Sequence, residues 1–544
     1  MSESGSEDSD GWRSGGALWS KACSQGTADS FVPDHEAMRP FMRTLKTSAF
    51  RGLAKVALVS LLALAGGATR ADEPKSEGPA FEIPPLEAEG PFGATIRLEA
   101  SDRVRGEFVD WFETPPSSAT RNDDYRFLGN RFQLGVRVKR DPVELFVQFQ
   151  DSLLYKVPDH APGPGGNYFA NTPETYQQEP MLRNAWLRWQ DAFTVPGLKT
   201  TLGRQLYRDG LETPLDDPTL AWLQKNRIAE RLVGPFDYTH IGRSFDGGQV
   251  GYENPLLNVT AFGFVPTFGG YEINGNPEID QVAVAGLSAT LKEGETLPGT
   301  STRLFYLYYN DHRNLVVLDN RPLALRQADH QPLNLHTVGG QLLHVEPLGP
   351  GKADFLLWAA GQFGDWQSLE QEAWAYALEA GYQLPEVWAA PWLRFGVNQS
   401  SGSNDPFGRV HGTFFQILPT ARLYAQFPFF NMMNNMDTFV QLLLQPHPKV
   451  SLRTDFHWLR VSQPNDLLYA GGGATSDTNF GYTGTATGGA QDIGYLLDTA
   501  LTFTPTRNLT LYLYYAHVFG RGVIGNAYVG RVANYGYVEA TVGF

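Results

Sequence analysis

The chain is poor in cysteine, in long apolar runs and in excess positive charge. Its one cysteine among 544 residues, Cys23, precedes the apolar segment described below. The region that follows therefore has no thiol for a disulfide scaffold or a cysteine-ligated metal. Beyond residue 71 no stretch approaches the ~20 apolar residues that a membrane-spanning helix needs. The formal net charge of −15 argues against nucleic-acid binding.

Aromatic residues and glycine are abundant instead. The chain holds 34 Phe, 23 Tyr, 12 Trp and 57 Gly. This composition suits a membrane β-barrel, in which aromatic girdles mark the interfaces and many turns connect the strands. Average hydropathy does not detect such a barrel, because only alternate residues of each strand face lipid.

An export signal is predicted some forty residues into the chain. A basic segment runs from Met42 to Lys55, an apolar core covers residues 56–65, and a small-residue stretch ends at Ala71. These are the three parts of a secretory signal peptide, so we predict a signal over 42–71 that is cleaved near Ala71. The alternative interpretation is a buried amphipathic helix. Residues 1–41 are interpreted as a misannotated N-terminal extension and residues 72–93 as a flexible mature N-terminus.

The rest of the chain, residues 94–544, contains eighteen strand-like runs. In one of them Val450, Leu452 and Phe456 share a face, while Arg453 and His457 share the other. Such alternation is typical of strands with two different environments. The predicted strands are 94–108, 125–138, 143–151, 181–189, 198–205, 244–253, 257–265, 281–291, 302–310, 335–346, 353–363, 372–383, 391–399, 434–445, 449–461, 493–504, 508–518 and 534–544.

The connections between these runs alternate in length. Long loops over 152–180, 206–243, 311–334, 400–433, 462–492 and 519–533 alternate with turns of a few residues. Tight turns on one side and long loops on the other are typical of outer-membrane barrels. We therefore predict an all-β fold, a single transmembrane antiparallel β-barrel with long extracellular loops and short periplasmic turns. A soluble all-β protein, such as a propeller or several sandwiches, is the alternative. A propeller would need internal repeats, which we do not find.

The chain ends on a strand whose last residue is aromatic. Ala540, Val542 and Phe544 fall on one face and Glu539 on the other. In a closed barrel the partner of this strand is the first one, so no sheet edge stays open. We predict that Phe544 faces lipid and acts as an assembly signal, and that Glu539 faces the lumen.

The segment from 198 to 251 carries the most specific motifs. It contains Gly203-Arg204-Gln205, then Glu230-Arg231 and Arg243, and finally Phe245-Asp246-Gly247. These motifs resemble the alginate export family of outer-membrane porins. Further similar segments lie before this segment, around Arg131 and at 150–152, and after it, at 336–341, 400–402 and 412–420, all in the order of the family.

The resemblance implies an outer-membrane porin that passes anionic saccharides such as alginate-like uronate polymers, oligosaccharides or sugar acids. It implies lipid, lipopolysaccharide and the barrel assembly machinery as partners, leaves open a periplasmic export scaffold, and implies no cofactor. Rings of arginine or lysine select anions in such pores. One departure concerns Gln341, which stands where the family usually has arginine. That difference leaves room for neutral or mixed oligosaccharides.

Strand alternation supplies candidates for the lining of the pore. We predict that the following side chains face the lumen: Arg103, Arg105, Arg131, Arg137, Arg394, Arg453, Asp455 and His457. For His457 we expect hydrogen bonding rather than metal binding, because no second histidine stands at ligand spacing. The alternative for each arginine is a structural ion pair with a lumen carboxylate such as Glu99, Glu144, Asp246, Glu379 or Glu539.

Two other functions remain open. The lumen could be plugged by the loop 206–243 or 400–433, which would leave a structural barrel or a surface glycan-binding protein. A glycosidase would need a pair of carboxylates flanking the scissile bond. Nothing in the sequence distinguishes one such pair, so we do not predict an enzyme.

Overall fold

The computed structural model describes residues 84, 86–420 and 422–544. The predicted extension 1–41 and signal 42–71 lie outside the described residues. In the part of the chain that is described, no helix is long and apolar enough to cross a membrane.

Eighteen antiparallel strands form the wall of one closed barrel, as the sequence predicted. They are β2 (Thr95–Asp110), β3 (Asp124–Arg140), β4 (Val143–Tyr155), β5 (Tyr176–Trp189), β6 (Leu198–Gln205), β7 (Phe245–Glu253), β8 (Leu257–Pro266), β9 (Val282–Leu291), β10 (Thr300–Asp311), β11 (Leu333–Leu348), β12 (Gly351–Trp366), β13 (Leu369–Gln383), β14 (Trp392–Ser400), β16 (Asn435–His447), β17 (Val450–Val461), β20 (Asp492–Thr506), β21 (Leu509–Gly520) and β22 (Val532–Gly543).

Smaller elements accompany the wall. Within the described residues, the short strands are β1 (Leu86–Glu89), β15 (Val410–His411), β18 (Leu467–Gly471) and β19 (Tyr482–Ala486). The α-helices of this part of the chain are α1 (Gly163–Asn171), α2 (Pro218–Leu223), α3 (Leu323–Ala328) and α4 (Gly522–Ala527), and a π-helical turn covers Gln224–Ile228. Strand β1 pairs with the start of β2, so residues 86–89 are ordered by backbone pairing within the segment expected to be flexible.

The barrel closes between its last and first strands. Strand β22 pairs with β2 from Ser101↔Gly543 to Asp110↔Asn534. The backbone N–H of Phe544 donates to the Ala100 carbonyl at 3.0 Å, and the Ala100 N–H donates back at 3.2 Å. The terminal strand thus has the partner that the sequence predicted, and no edge remains at this seam.

The two faces of the wall differ as the alternation predicted. On β22, Val538 and Val542 are 46% and 38% exposed on the outer face. Between them Glu539 points inward and forms an ion pair with Arg105 at 2.7 Å. Apolar side chains therefore face the lipid region, while charged ones are enclosed by the barrel.

Loop lengths alternate around the barrel. Long connections cover 111–123, 156–175, 206–244, 267–281, 312–332, 401–434, 462–491 and 521–531, and one connection on that side, 367–368, is short. The other side has turns of two to eight residues. Strand β5 begins at Tyr176, five residues before its predicted start, because residues 176–180 pair with β4 despite their polar composition.

Two of the long loops fold into the barrel. We call residues 206–244 the crossing loop and residues 401–434 the inner loop. Asp217 caps helix α2 of the crossing loop by accepting from the backbone N–H of Thr219 and Leu220, at 2.7 and 3.1 Å. The two loops join where Val233 pairs with Leu418 in a parallel bridge. Their apolar side chains supply much of the buried core, which therefore lies within the lumen.

Candidate functional site

The crossing loop contacts the inner wall on several sides of the lumen. Arg103 on β2 donates to the carbonyl oxygen of Thr239 at 2.6 Å. Ser152 on β4 donates to the carbonyl oxygen of His240 at 3.0 Å. Further round the wall, Glu379 on β13 lies 3.4 Å from a guanidinium nitrogen of the loop. The loop thus spans the lumen and narrows it.

Asp237, near the end of the crossing loop, collects several arginines. Its carboxylate accepts from Arg131 at 3.1 Å and Arg183 at 2.6 Å, and also from Arg208. Burial alone would raise the pKa of Asp237. The charges of Arg183, Arg131, Arg208 and Arg103 outweigh burial and hold the pKa well below its usual range. The carboxyl is therefore ionised and anchors the loop to β3 and β5.

A second cluster lies at the opposite part of the wall. Glu379 pairs with Arg394 at 3.0 Å and with Arg227 of the crossing loop at 3.4 Å. Asp354 lies 3.1 Å from Arg394. The hydroxyl of Tyr424, on the inner loop, donates to Glu379 at 2.9 Å. Two loops and three wall strands therefore share this group of charges.

Two motif arginines of the crossing loop donate their hydrogen bonds to neutral acceptors. Arg231 donates to the Arg227 carbonyl at 2.6 Å and to the Tyr424 hydroxyl at 2.8 Å. Arg243 donates to the carbonyl oxygens of Gly472 and Ala474. Their positive charges are thus fixed in place without a carboxylate in these bonds.

His240 is held in a closely fitted site between the loop and the wall. Its Nε2 lies 2.8 Å from a carboxylate oxygen of Glu107, and its backbone N–H donates to the Tyr168 hydroxyl at 3.1 Å. The ring packs over Gly129 of β3, where a Cβ atom would lie 2.1 Å from it. Burial lowers the pKa of His240 to about 4, against the effect of Glu107. The ring is therefore neutral at physiological pH.

All eight predicted lumen residues lie inside the barrel, and each has an oppositely charged or hydrogen-bonding neighbour. The contacts are Arg103 and Arg105 with Glu539, Arg131 with Asp237, Arg137 with Glu99 and Glu144, Arg394 with Glu379, Arg453 with Asp455 and Asp498, and His457 with Asp437. The structural ion pairs expected as the alternative are thus present. That these residues line a substrate pathway stays a prediction.

The motif pair Arg204 and Asp246 lies on the outer surface of the barrel. Their neighbours Gln205 and Phe245 are buried inside, so residues 204 and 246, paired directly across the ladder, point outward. The pair is bidentate, with an Nε–Oδ1 distance of 2.8 Å. The motif thus fastens β6 to β7 from outside and adds no charge to the lumen.

Gly203 and Gly247 complete this part of the motif. They pair with each other across the ladder, with φ angles of 115° and 147°. A Cβ atom on Gly203 would lie 2.3 Å from the Ala185 carbonyl oxygen. A Cβ atom on Gly247 would lie 2.2 Å from the Gly263 carbonyl oxygen. Glycine is therefore required where β6 approaches β5 and where β7 approaches β8.

Strand alternation missed Arg183, Arg208 and Asp237. Arg183 stands at a bulge where the β4–β5 register shifts between Gln148 and Phe149, so it does not follow the period of two. The other two lie in the crossing loop, which has no periodicity to read. The motifs at 203–205 and 243–247, which flank this loop in the sequence, were the one signal that the loop has a defined structural role.

Gln341 lies on the inner face directly across from Arg303. Arg303 itself pairs with Asp209 at 2.5 Å and Glu212 at 2.8 Å, both on the crossing loop. An arginine at 341 would place a second cation beside it. The uncharged amide removes that repulsion.

The closed eighteen-stranded wall with long loops on one side defines an outer-membrane porin barrel. The alginate export family model matches residues 96–537, and the protein belongs to this family. No curated protein sequence matches the chain significantly.

Solved porin structures share the fold at low sequence identity. OccAB2 of Acinetobacter baumannii is 10% identical with a TM-score of 0.55, covering 82% of this chain and 98% of OccAB2. A BenF-like porin from Pseudomonas fluorescens Pf-5 is 10% identical with a TM-score of 0.53, covering 82% and 99%. OccK9 (OpdG) of Pseudomonas aeruginosa is 12% identical with a TM-score of 0.51, covering 82% and 98%.

Proposed function

We propose that this protein passes anionic saccharides through its lumen, among them uronate oligosaccharides and sugar acids. The observation that carries the proposal is the excess of arginine over carboxylate where the crossing loop meets the wall. Ten arginines stand there against eight carboxylates: Arg103, Arg105, Arg131, Arg183, Arg208, Arg227, Arg231, Arg243, Arg303 and Arg394 against Glu107, Asp209, Glu212, Glu230, Asp237, Asp354, Glu379 and Glu539. The excess of two corresponds to Arg231 and Arg243, which donate to neutral acceptors.

Physical chemistry links this excess to anion passage. A carboxylated sugar loses part of its hydration in a narrow lumen, and guanidinium groups replace it with charge-assisted hydrogen bonds. Fixed charges in a poorly hydrated wall also act over longer distances than they do in water. Positive groups that already have partners bind a passing anion weakly, and weak binding at several sites is what conduction requires.

The contact between the crossing loop and the inner loop affects the size of the solute that can pass. The N–H of Gly234 donates to the Leu418 carbonyl at 2.8 Å, and the Leu418 N–H donates to the Leu232 carbonyl at 2.8 Å. An extended polymer would have to displace this contact. The arrangement therefore favours sugar acids and short oligosaccharides over polymeric alginate.

The same contact favours a second candidate function. If the crossing and inner loops stay joined, the barrel is plugged and serves as a surface glycan-binding or structural protein. It would then bind saccharides at its extracellular loops without solute flux.

Bilayer recordings distinguish the two candidates. We expect discrete conductance with anion preference, measured from the reversal potential in a salt gradient. Liposome swelling should be faster with glucuronate than with glucose of similar size. Cation selectivity would contradict the charge argument, and a silent barrel that binds glycans would support the plugged form.

A pair of variants tests the charge argument directly. Arg231→Gln and Arg243→Gln should each reduce the anion preference, because each removes a lumen charge. Arg204→Gln is the matched control, since it removes the same charge from the outer surface. Equal effects of all three would mean that the lumen charges do not set selectivity.

Export and assembly are part of the proposal. We propose that the protein is exported through the segment 42–71, cleaved near Ala71, and N-terminal sequencing of the mature protein tests the cleavage site. We also propose that Phe544 promotes assembly. Phe544→Ala should lower the amount of folded barrel in the outer membrane, while the molecules that fold keep their conductance; the reverse result would show that Phe544 acts in the lumen.

A further inference from the structure

A cavity of about 280 Å³ lies against the inner face of β5–β8, beneath the start of the crossing loop. Gly197 and Gly251 line it near the short turns, and Tyr207 and Leu211 of the loop line it from the other side. Short turns are periplasmic in barrels of this architecture. The cavity is therefore placed on the periplasmic side of the narrowest part of the lumen.

Three cations line this cavity: Arg188, Lys199 and Arg208. Arg188 is held by Glu144 at 3.4 Å and by the Thr201 hydroxyl at 3.2 Å, yet its side chain remains 27% exposed. Lys199 is exposed, and among residues 84, 86–420 and 422–544 its ammonium group has no carboxylate partner within 4.0 Å. An anion entering the cavity thus meets a cation that is not already neutralised.

Uncharged hydrogen-bonding groups also line the cavity: Thr201, Gln249, Asn258 and Thr260. Two carboxylates of the lining already have cationic partners, since Glu212 pairs with Arg303 at 2.8 Å and Glu253 with Lys292 at 2.7 Å. Behind them, Ser288 and Thr290 stand directly across the β8–β9 ladder from Thr260 and Asn258. Both are almost fully buried, and within the described part of the chain their hydroxyl oxygens have no hydrogen-bond partner. Buried polar groups normally find partners, so the uncharged polar surface continues beyond the cavity onto β9 with hydrogen-bonding capacity unused. Within the lining itself, the Thr260 hydroxyl donates to Asn258 at 3.0 Å.

We propose that the cavity is a binding subsite for one monomeric sugar acid, entered from the periplasm. Lys199 and Arg188 bind the carboxylate, and Asn258 and Thr260 bind the sugar hydroxyls. Its volume is just below that of small-molecule sites, about 300–1,000 Å³, which suits a single sugar unit. This inference rests on the proposed function and specifies where a transported sugar acid first binds.

The test measures binding of D-glucuronate, with D-glucose as the neutral comparison, to the full-length mature barrel in detergent micelles by calorimetry. We expect glucuronate to bind more tightly than glucose. Lys199→Gln should weaken glucuronate binding about tenfold, the loss of one charge-assisted hydrogen bond, and should leave glucose binding unchanged. Lys449→Gln is the matched control, because it removes the same charge from an exposed periplasmic turn elsewhere on the barrel.

A second variant tests the uncharged side of the cavity. Thr260→Val keeps the shape of the side chain and should weaken glucuronate and glucose alike. Equal binding by wild type and Lys199→Gln, or no glucuronate binding at all, would overturn the subsite even if bilayer recordings show anion preference. Conversely, binding that depends on Lys199 in a barrel that is silent in bilayers would support the subsite and contradict transport.

Discussion

Two adjacent parts of the barrel wall differ in height and in chemistry. The charged wall, β2–β5, has strands of 13 to 17 residues, and its inner face carries Arg103, Arg105, Arg131 and Arg183. The polar wall, β6–β9, has strands of 8 to 10 residues. Its inner face carries Phe262, Phe264 and the hydroxyl and amide groups of the cavity.

The crossing loop connects these two walls by different forces. Where it leaves β6, Tyr207 packs on Phe262 and Phe264 with ring-centroid distances of 4.3 and 5.3 Å. Where it reaches the charged wall, Asp237 binds the arginines of β3 and β5. Apolar packing therefore holds the start of the loop against the polar wall, with Asp209 and Glu212 paired to Arg303 on β10, and ion pairs hold its end against the charged wall. The same arginines that would attract a solute also hold the loop in the lumen.

The largest effect is expected for Asp237→Ala at the charged wall. The substitution leaves Arg131, Arg183 and Arg208 without their shared carboxylate. Breaking a buried ion pair from one side costs about 3–5 kcal/mol. We expect the loop to detach, single-channel conductance to rise and anion preference to increase. Planar-bilayer recordings measure both quantities, and unchanged conductance would show that Asp237 does not hold the loop.

A change at the polar wall should separate the two forces. Phe262→Ala removes an aromatic ring that packs on Tyr207, at a cost of about 3 kcal/mol. Conductance should rise because the start of the loop loosens, while anion preference stays the same because every charge remains. A change in selectivity would mean that the two walls do not act separately. The destabilisation can be measured by heating samples before gel electrophoresis. The temperature at which the band of the folded barrel disappears should be lower for this variant than for the wild type.

Gly129→Ala tests the fit of the loop against the charged wall without changing any charge. The added Cβ would lie 2.1 Å from the His240 ring, so the ring must move. Overpacking of this kind costs about 1–3 kcal/mol. Gly106→Ala on the neighbouring strand is the control, because a Cβ there meets nothing within 4 Å. Equal melting temperatures for the two variants would contradict the close packing of His240.

Acidification should weaken the end of the loop through His240. Its pKa is lowered to about 4 by burial, against about 6.5 in an unfolded chain. A histidine whose pKa is lowered in the folded protein contributes less to the stability of the docked loop as the pH falls from about 6.5 towards 4. The reason is that the imidazole is protonated in the released loop at a higher pH than in the docked loop. We expect conductance to rise over this window. In His240→Gln the rise in conductance should be absent. If the variant and the wild type had the same pH profile, the rise would be due to other titratable groups.

The smallest effect is expected on the outer surface of the polar wall. Asp246→Asn weakens the ion pair with Arg204, and such pairs near the surface contribute about 0–1 kcal/mol. Selectivity should not change, because the pair lies outside the lumen. A selectivity shift as large as that of Asp237→Ala would contradict the outward orientation of this motif.

The sequence by itself determined the wall of this barrel. Alternation is a local property with a period of two, so the faces of β22 and the inward direction of Arg131 and Arg453 could be predicted from neighbouring residues. The alternating loop lengths indicated which ends of the strands are periplasmic. The predicted eighteen strands correspond to the eighteen of the wall, with bounds that differ by up to five residues.

Only the tertiary structure decided what fills the lumen. Asp237 lies far from Arg131 and Arg183 along the chain, and the crossing loop brings them together without any periodic pattern. The outward direction of Arg204 likewise depends on how β6 and β7 pair. Opposite charges attract one another according to their distance in space, whatever their separation in the sequence. Arg131 and the wall carboxylates were therefore predictable from the sequence, whereas Arg183 and its partner Asp237 were found only in the tertiary structure.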